Sequence, residues 1–300
     1  MNTLNPELTV IVPVFNEEKV LPSTAAKIIE YCMLNNWHVI FINDGSQDNS
    51  RAVLESISPH SFVTILHHKV NRGYGGAIKT GIRNTSTPFL VTIDADGQHN
   101  LEDINTLFHI AKQENADLVV GNRGTSGDSN AYRALGKRII RTFASFLMPL
   151  PIQDLNSGFK LYRTELAKKY IKICPDTMAF SDVITLAFIK GRNLILEQNI
   201  TVSERIAGKS TINTYTAFDT IIEILNIAIL FNPLRVFLPF SFLCILLGLI
   251  WGISRLFFVG QGISVGAMLA IVTGLIFFVL GLLANQISAL RMQQLYDHDY

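Results

Sequence analysis

Over its first 120 residues the chain alternates short apolar runs with longer stretches that repeat apolar residues at helical spacing. Leu8–Val12, Val39–Ile42, Phe62–Leu66, Phe89–Ile93 and Leu118–Val120 have the length of strands. Between them, Lys19–Leu34, Asn49–Ile57, Gly75–Asn84 and Leu101–Gln113 carry the longer period of a helix. This alternation predicts an α/β domain with a mostly parallel sheet covered on both faces. Ligands bind such sheets beyond the carboxyl ends of the strands. Chemistry is therefore expected in the residues that follow each apolar run.

The pattern changes after Arg235. Val236–Ser254 is uncharged over 19 residues, and Leu256–Leu290 over 35. A membrane-spanning helix needs about 20 mostly apolar residues. Two spans are predicted, 236–253 and 264–284, joined by a turn around Val259–Gly262. Arg235 precedes the first and Arg291 follows the second, so the positive-inside rule puts both ends in the cytoplasm. Ahead of the spans, Thr214–Phe231 carries Phe218, Ile221, Ile222, Leu225 and Ile229 at helical spacing. It reads as an amphipathic helix lying in the membrane interface or on its own domain. The expected organisation is a cytoplasmic head over 1–212, a juxtamembrane helix over 213–234, a two-helix transmembrane hairpin over 235–290 and a cytoplasmic tail over 291–300. The protein is expected in the cytoplasmic membrane as a multi-pass protein.

Composition sharpens this division. Charged residues make up 16% of the chain, against about 25% in a typical globular domain. The deficit is local: from Arg235 onward only five residues are charged, leaving 22 basic and 22 acidic residues in the first 234. A balanced head excludes a disordered chain, a collagen-like chain and a strongly basic nucleic-acid binder. Cys32, Cys174 and Cys244 show no C-x-x-C spacing, which argues against a disulfide framework or structural zinc. Cys244, in an apolar run, is expected to be a small buried hydrophobe. The start of the chain lacks a basic segment, and its short apolar run contains Pro13, so no signal peptide is expected.

Three strand ends are acidic: Pro13-Val14-Phe15-Asn16-Glu17, Asn43-Asp44-Gly45-Ser46 and Asp94-Ala95-Asp96-Gly97-Gln98. In an extended segment Asp94 and Asp96 would point to one face. Two carboxylates there repel unless a cation lies near them, and oxygen-only ligands suit Mg²⁺ or Mn²⁺. Gln98 can add an amide oxygen. A lone Asp-x-Asp is more often a solvated turn, but three acidic ends on one sheet edge favour a nucleotide and metal pocket. Asn71-Arg72-Gly73-Tyr74-Gly75-Gly76-Ala77 fails the G-x-G-x-x-G spacing at Ile78, so its glycines are expected to permit a tight loop opening the next helix. His67, His68 and His99 read as polar surface or supporting groups rather than ligands.

Taken together, Ile11-Val12-Pro13-Val14-Phe15-Asn16-Glu17-Glu18, Asn43-Asp44-Gly45-Ser46-Gln47-Asp48 and Asp94-Ala95-Asp96-Gly97-Gln98-His99 resemble the family 2 glycosyltransferases of GT-A fold. Leu155-Asn156-Ser157-Gly158-Phe159-Lys160-Leu161-Tyr162-Arg163 and Glu204-Arg205-Ile206-Ala207-Gly208-Lys209-Ser210 are similar to the polyprenyl-phosphate branch, which includes dolichol-phosphate mannose synthases and undecaprenyl-phosphate glycosyltransferases. The resemblance covers about residues 8–215. It implies a nucleotide-sugar-binding GT-A domain that transfers a hexose, with inversion, from a UDP- or GDP-linked sugar to a membrane polyprenyl phosphate. It implies that Pro13, Phe15, Glu17 and Asp44 hold base and ribose. Asp94, Ala95 and Asp96 would face the diphosphate, and Asp94, Asp96 and Gln98 would bind Mg²⁺ or Mn²⁺. Arg123 and Arg205 match arginines that contact phosphates, and Asp154 the residue usually suspected as a base; here it is expected to position or assist. Two positions depart from the family pattern. Thr211 stands where Lys is frequent, with Lys209 a substitute, and Phe15 stands where Tyr is frequent.

Arg133, Lys137, Arg138 and Arg141 fall on one side of a helix through Met148, opposite Leu135, Ile139, Phe143, Phe146 and Leu147. Beside a membrane anchor this basic face is expected to touch anionic headgroups, with Lys137, Arg138 and Arg141 receiving the acceptor phosphate alongside Arg123. The expected partners are nucleotide sugar, polyprenyl phosphate and lipid bilayer, without nucleic acid; the sequence leaves homo-oligomerisation open. Two other readings compete. One is a transferase of the same fold acting on a sugar or protein hydroxyl, and the other is a membrane protein that binds nucleotide sugar without turnover. No Gln-x-x-Arg-Trp segment is present, which disfavours a processive polysaccharide synthase.

Overall fold

The computed structural model describes residues 5–57, 60–124, 151–203, 226–227, 229–260 and 262–293. They fall into two compact units, the first reaching Ser203 and the second beginning at residue 226.

The first unit is a seven-stranded sheet. Its strands are β1 (Leu8–Val14), β2 (His38–Asn43), β3 (Val63–His67), β4 (Phe89–Thr92), β5 (Leu118–Asn122), β6 (Lys160–Arg163) and β7 (Ile195–Asn199). The helices are α1 (Leu21–Asn35), α2 (Ser50–Glu55), α3 (Tyr74–Asn84), α4 (Glu102–Gln113), α5 (Thr164–Tyr170) and α6 (Phe180–Lys190). The strand order is β3-β2-β1-β4-β6-β5-β7. β3, β2, β1 and β4 are parallel, while β6 runs against both of its neighbours. The expected mostly parallel sheet is thus present, with one reversed strand in its middle.

Central position explains the sequence of β1. Six of the seven residues of Leu-Thr-Val-Ile-Val-Pro-Val are buried, which takes a continuous apolar run rather than an alternating one. Helix α1 presents Leu21, Thr24, Ala25, Ile28 and Cys32 to the core, one stripe at helical spacing. It ends at Asn36, whose left-handed conformation (φ 54°) lets its N–H close on the last carbonyls. Leu21, Ala25 and Ile28 pack with Val10, Val12, Val39, Leu107 and Phe108 in one core.

The sequence pattern missed β6, β7, α5 and α6. Strand β6 places Lys160 beside Thr92 at the carboxyl end of β4. The loop before it, residues 154–159, is therefore held where β4 gives way to Asp94. The Thr92 hydroxyl donates to Gly158 O at 2.6 Å and secures that position.

The second unit is a helical hairpin of α7 (Pro233–Ser254) and α8 (Val265–Gln293), with a short π-helical stretch, Arg255–Val259, between them. The helices pack along small residues. A Cβ on Gly248 would meet Ile271 Cγ1 at 2.7 Å, and one on Gly274 would meet Ser241 O at 2.8 Å. Ser241 Oγ donates to Gly274 O at 2.8 Å. Such a seam lets backbones approach closely. Both helices are long and apolar enough to cross a membrane, and each is only 17% buried over its most apolar stretch. A core helix of a water-soluble protein would be mostly covered. The outer surface consists of residues such as Phe240, Phe242, Leu246, Ile250 and Leu283. Cys244, expected to be buried, is half-exposed on the hairpin; the small residues, not the cysteine, take the seam. Helix α7 begins three residues before the first expected span and ends one after it, whereas α8 begins one residue inside the second and runs nine residues past its end.

Candidate active site

The carboxyl ends of β1 and β2 form one continuous floor, because their loops exchange hydrogen bonds. Asn16 N donates to Ser46 Oγ (3.1 Å), Glu17 N to Ser50 Oγ (2.9 Å) and Glu18 N to Asp48 Oδ2 (3.0 Å). In return Gln47 N donates to Asn16 Oδ1 (2.8 Å) and Asn49 N to Glu18 Oε2 (3.0 Å). Side chains thus satisfy backbone donors that no sheet or helix reaches. Pro13 lies within β1, paired with Ile42 of β2. Phe15, by contrast, is 44% exposed above the floor.

Asp44 closes β2 and is buried. Its Oδ1 lies 2.6 Å from His68 Nδ1 and accepts Arg72 N–H at 2.9 Å. Gly45 follows in a left-handed conformation (φ 67°), and a Cβ there would stand 2.6 Å from the backbone at both Val70 and Asn71. Only glycine lets the segment after β3 come this near Asp44.

Asp94 and Asp96 do not sit in an extended segment. Strand β4 ends at Thr92, and Ala95–Gly97 is a turn with Gly97 at φ 73°. The two carboxylates therefore differ. Asp94 keeps 39% of its side chain open. Asp96 is buried, with Oδ1 accepting Gln98 N–H at 3.1 Å. Ala95 is buried between them in sequence. Gln98 Nε2 donates to Ser203 O at 3.1 Å, which leaves its amide oxygen as the end suited to a cation.

The wall behind Asp94 comes from β6 and its loop. A Cβ on Gly158 would lie 2.8 Å from the Tyr74 hydroxyl and 3.1 Å from Asp94 Oδ2. His99 stacks on Phe159, with ring centroids 4.9 Å apart, and its Nε2 is 3.8 Å from Asp94 Oδ2. Confinement in the cleft pushes the Asp94 carboxyl up. The hydrogen bond and charge of His99, the charge of Arg123 and the hydrogen bond from Tyr74 outweigh it, holding the group below its ordinary value. Asp94 is thus ionised, with part of its carboxylate open. With Asp96 and the Gln98 amide it gives the hard, oxygen-only donor set that Mg²⁺ or Mn²⁺ takes when substrate phosphates complete its shell. The residues fit such an ion. Among the described residues no three His, Cys, Asp or Glu side chains gather into a site that would hold one alone.

Arg123, just past β5, meets Asp154 in a fork. Its Nε donates to Oδ2 at 2.8 Å and its Nη2 to Oδ1 at 2.9 Å. Nη2 also reaches Asn156 O at 3.2 Å. Glu197 of β7 holds the loop in place, accepting Gln153 N–H and Asp154 N–H, the latter at 2.7 Å. Glu197, Tyr74, His68 and Lys160 support this site; Tyr74, His68 and Lys160 fall in segments that the sequence singled out without assigning them this role, and Glu197 gave no signal. Lys160 is fully buried, its Nζ donating to Leu155 O, Ser181 O and Thr185 Oγ1. The structure thus gathers Asp94, Arg123 and Asp154 into one electrostatic cluster, with Phe15, Glu17 and Asp44 on the adjoining floor. Lys137, Arg138, Arg141, Arg205 and Lys209 lie outside the described residues, as does most of the expected Thr214–Phe231 helix.

The model of glycosyl transferase family 2 matches residues 9–171, more than half of the chain and the whole of this floor and wall. The chain belongs to this glycosyltransferase family. A second family model, described as the GtrB C-terminal hairpin, matches residues 232–290. The glycosyltransferase is 31% identical over 184 residues to a dolichyl-phosphate beta-glucosyltransferase of Dictyostelium discoideum, covering 55% of this chain and 56% of that one. It is 28% identical to the polyprenol monophosphomannose synthase of Mycolicibacterium smegmatis (67% and 79% covered). It is 25% identical to an undecaprenyl-phosphate 4-deoxy-4-formamido-L-arabinose transferase of Yersinia pestis, over 94% of this chain and 88% of the relative. The matched part thus spans little more than half of the first relative and most of the other two. Among solved structures it shares its fold with glucosyl-3-phosphoglycerate synthase of Mycobacterium tuberculosis, crystallised with Mn²⁺, UDP-glucose and phosphoglyceric acid. That match has a TM-score of 0.56 and 20% identity, covering 74% and 80% of the two chains.

Proposed function

We propose that this glycosyltransferase moves a hexose from a nucleotide sugar to a membrane polyprenyl phosphate, with inversion. The observation that carries the reading is the Arg123–Asp154 fork. Both carboxylate oxygens of Asp154 are engaged by one guanidinium, so the suspected base of this loop is committed to a cation. A hydroxyl acceptor needs a base; a phosphate monoester does not, because its second pKa is near 6 and it arrives as an anion. A phosphate oxygen bonds to the anomeric carbon while the bond to the donor diphosphate breaks. The names of the three relatives support such an acceptor, and the two apolar helices support a membrane setting for it.

In this reading Pro13, Phe15, Glu17 and Asp44 hold base and ribose, with the exposed ring of Phe15 available for stacking. Asp94, Asp96 and the Gln98 amide oxygen hold Mg²⁺ or Mn²⁺, which when bound neutralises charge on the departing diphosphate. Arg205 and Lys209 serve the donor phosphates. Arg123, with the basic face of Lys137, Arg138 and Arg141, serves the acceptor phosphate. Chemistry is then chiefly placement and charge management. The head, residues 1–212, faces the cytoplasm, and 235–290 anchors it in the cytoplasmic membrane.

The test is transfer by the full chain in detergent, supplied with undecaprenyl phosphate and a panel of nucleotide sugars, with the lipid product read by mass. Product should form from at least one donor, disappear in excess EDTA, and disappear with Asp94→Asn. Sugar transfer to water-soluble hydroxyl acceptors with none to the lipid phosphate would refute the reading.

A further inference from the structure

The side chain that supports Asp44 also limits what Asp44 can do. His68 immediately follows β3, and its side chain is only 6% exposed. Its Nδ1 lies 2.6 Å from Asp44 Oδ1, and its Nε2 lies 2.9 Å from the Thr80 hydroxyl on α3. Thr80 is also within 3.0 Å of Gly76 O. Its single proton goes either to Gly76 O or to Nε2. In the first case both ring nitrogens of His68 carry protons; in the second only Nδ1 does. Either way Nδ1–H donates to Oδ1. Arg72 N–H supplies a second donor to the same oxygen.

A carboxylate oxygen accepts two hydrogen bonds in its plane. Oδ1 is therefore full, while Oδ2 has no partner among the described residues and is not sealed from the cleft. On the reading that Asp44 faces the donor base, a base meets one acceptor rather than two. Uracil presents a single N–H between two carbonyls. Guanine presents two adjacent donors, N1–H and the exocyclic amine, which pair with both oxygens of an open carboxylate. At Asp44 one of these would go unmet, a loss of about tenfold to hundredfold in affinity.

We propose that His68 is a positioning residue that sets base selectivity. By filling one oxygen of Asp44 it leaves a one-acceptor site, which takes a uridine diphosphate sugar in preference to a guanosine diphosphate sugar. The inference rests on the functional reading above, and on Asp44 in particular.

The test titrates UDP and GDP, each with Mn²⁺, into the full chain in detergent by calorimetry, beside donor and acceptor kinetics. The wild type should bind UDP at least tenfold more tightly than GDP. His68→Asn keeps an amide donor near the Nδ1 position and should retain that ratio. His68→Gln carries its amide to the Nε2 position instead. It should bring the ratio below about threefold and raise the donor KM, with the acceptor KM unchanged. Comparing these two amides, after a melting curve confirms that each folds, separates selectivity from stability. Equal or tighter binding of GDP by the wild type overturns the proposal, even if transfer proceeds from a GDP-sugar and the function stands. An unchanged ratio in His68→Gln also overturns it. Failure to bind either nucleotide and to transfer any sugar removes the functional reading itself.

Discussion

Asp154 is either the base of the reaction or the holder of Arg123, and a double-mutant cycle separates the two. The fork has donor–acceptor distances of 2.8 and 2.9 Å, and the side chains keep 29% and 13% of their surface. Exposed ion pairs contribute about 0–1 kcal/mol, and breaking a buried one costs about 3–5. A partly covered, two-bond pair belongs between, at about 2–3 kcal/mol of coupling, or roughly 30- to 150-fold in kcat/KM. Asp154→Asn removes the charge and turns an amide group toward the guanidinium. Arg123→Gln removes the partner. Each single change should lower kcat/KM by this factor, and the double variant should be little worse than either, because both break one unit. The pH profile adds a second criterion. If the acceptor arrives as an anion, activity falls on the acid side as its phosphate takes up a proton near pH 6, and Asp154→Asn keeps that limb. The assay is steady-state transfer from pH 5 to 8 for all four proteins. A loss of about 10⁴ in Asp154→Asn together with loss of the acid limb, beside an Arg123→Gln that remains within tenfold of wild type, would refute the reasoning and make Asp154 the base.

Two further outcomes follow from the geometry. Gly45→Ala puts an L-residue at φ 67° with its Cβ 2.6 Å from neighbouring backbone. The conformation alone costs about 1–2 kcal/mol, and the clash must also push the segment after β3 away from Asp44. Chemical denaturation should show a stability loss of at least that size, with weaker nucleotide binding in the fraction that folds. Burial pushes Lys160 down to about 7, whereas in the unfolded chain it titrates near 10.4. Between those values the unfolded chain binds more protons, so stability rises with pH across that window and is flat with respect to this group below it. Denaturation midpoints from pH 6.5 to 9.5 should climb less in Lys160→Met than in wild type; equal slopes would show that Lys160 keeps its proton throughout.

Much of the first half of the sheet was legible because its strands answer to local pattern. β1 and β2 are buried on both faces and read as apolar runs, and α1 and α4 carry one apolar stripe each. β6 was not legible. It is four residues long, begins with lysine and is reversed between two parallel neighbours. Lys160 can be buried there only because Leu155, Ser181 and Thr185 supply acceptors, and no local pattern announces that arrangement. The site divides in the same way. The acidic strand ends stand out because short-range rules place them at one edge of the sheet. The pairings do not: Arg123 and Asp154 are each named by the resemblance, but they lie 31 residues apart, and Asp44 and His68 lie 24 apart. The extended geometry expected for Asp94 and Asp96 failed because β4 ends at Thr92 and the chain already turns at Ala95 and Asp96.

The reversed strand also fixes an order of assembly. Everything the floor needs, β1, β2, β3 and the loops that stitch them, is present once the chain has been made as far as residue 80. The wall behind Asp94 needs residues 154–163, and Thr92 must wait for Lys160, 68 positions later. At a synthesis rate of about 5–20 residues per second, that gap lasts roughly 3–14 s. Closing it is also the slower kind of event, because the contact is far from local. The hairpin begins only at Pro233. In the growing chain the segments of the floor are therefore made first, those of the carboxylate pocket second and the two apolar helices after both, so every strand of the sheet has been synthesised before the hairpin begins.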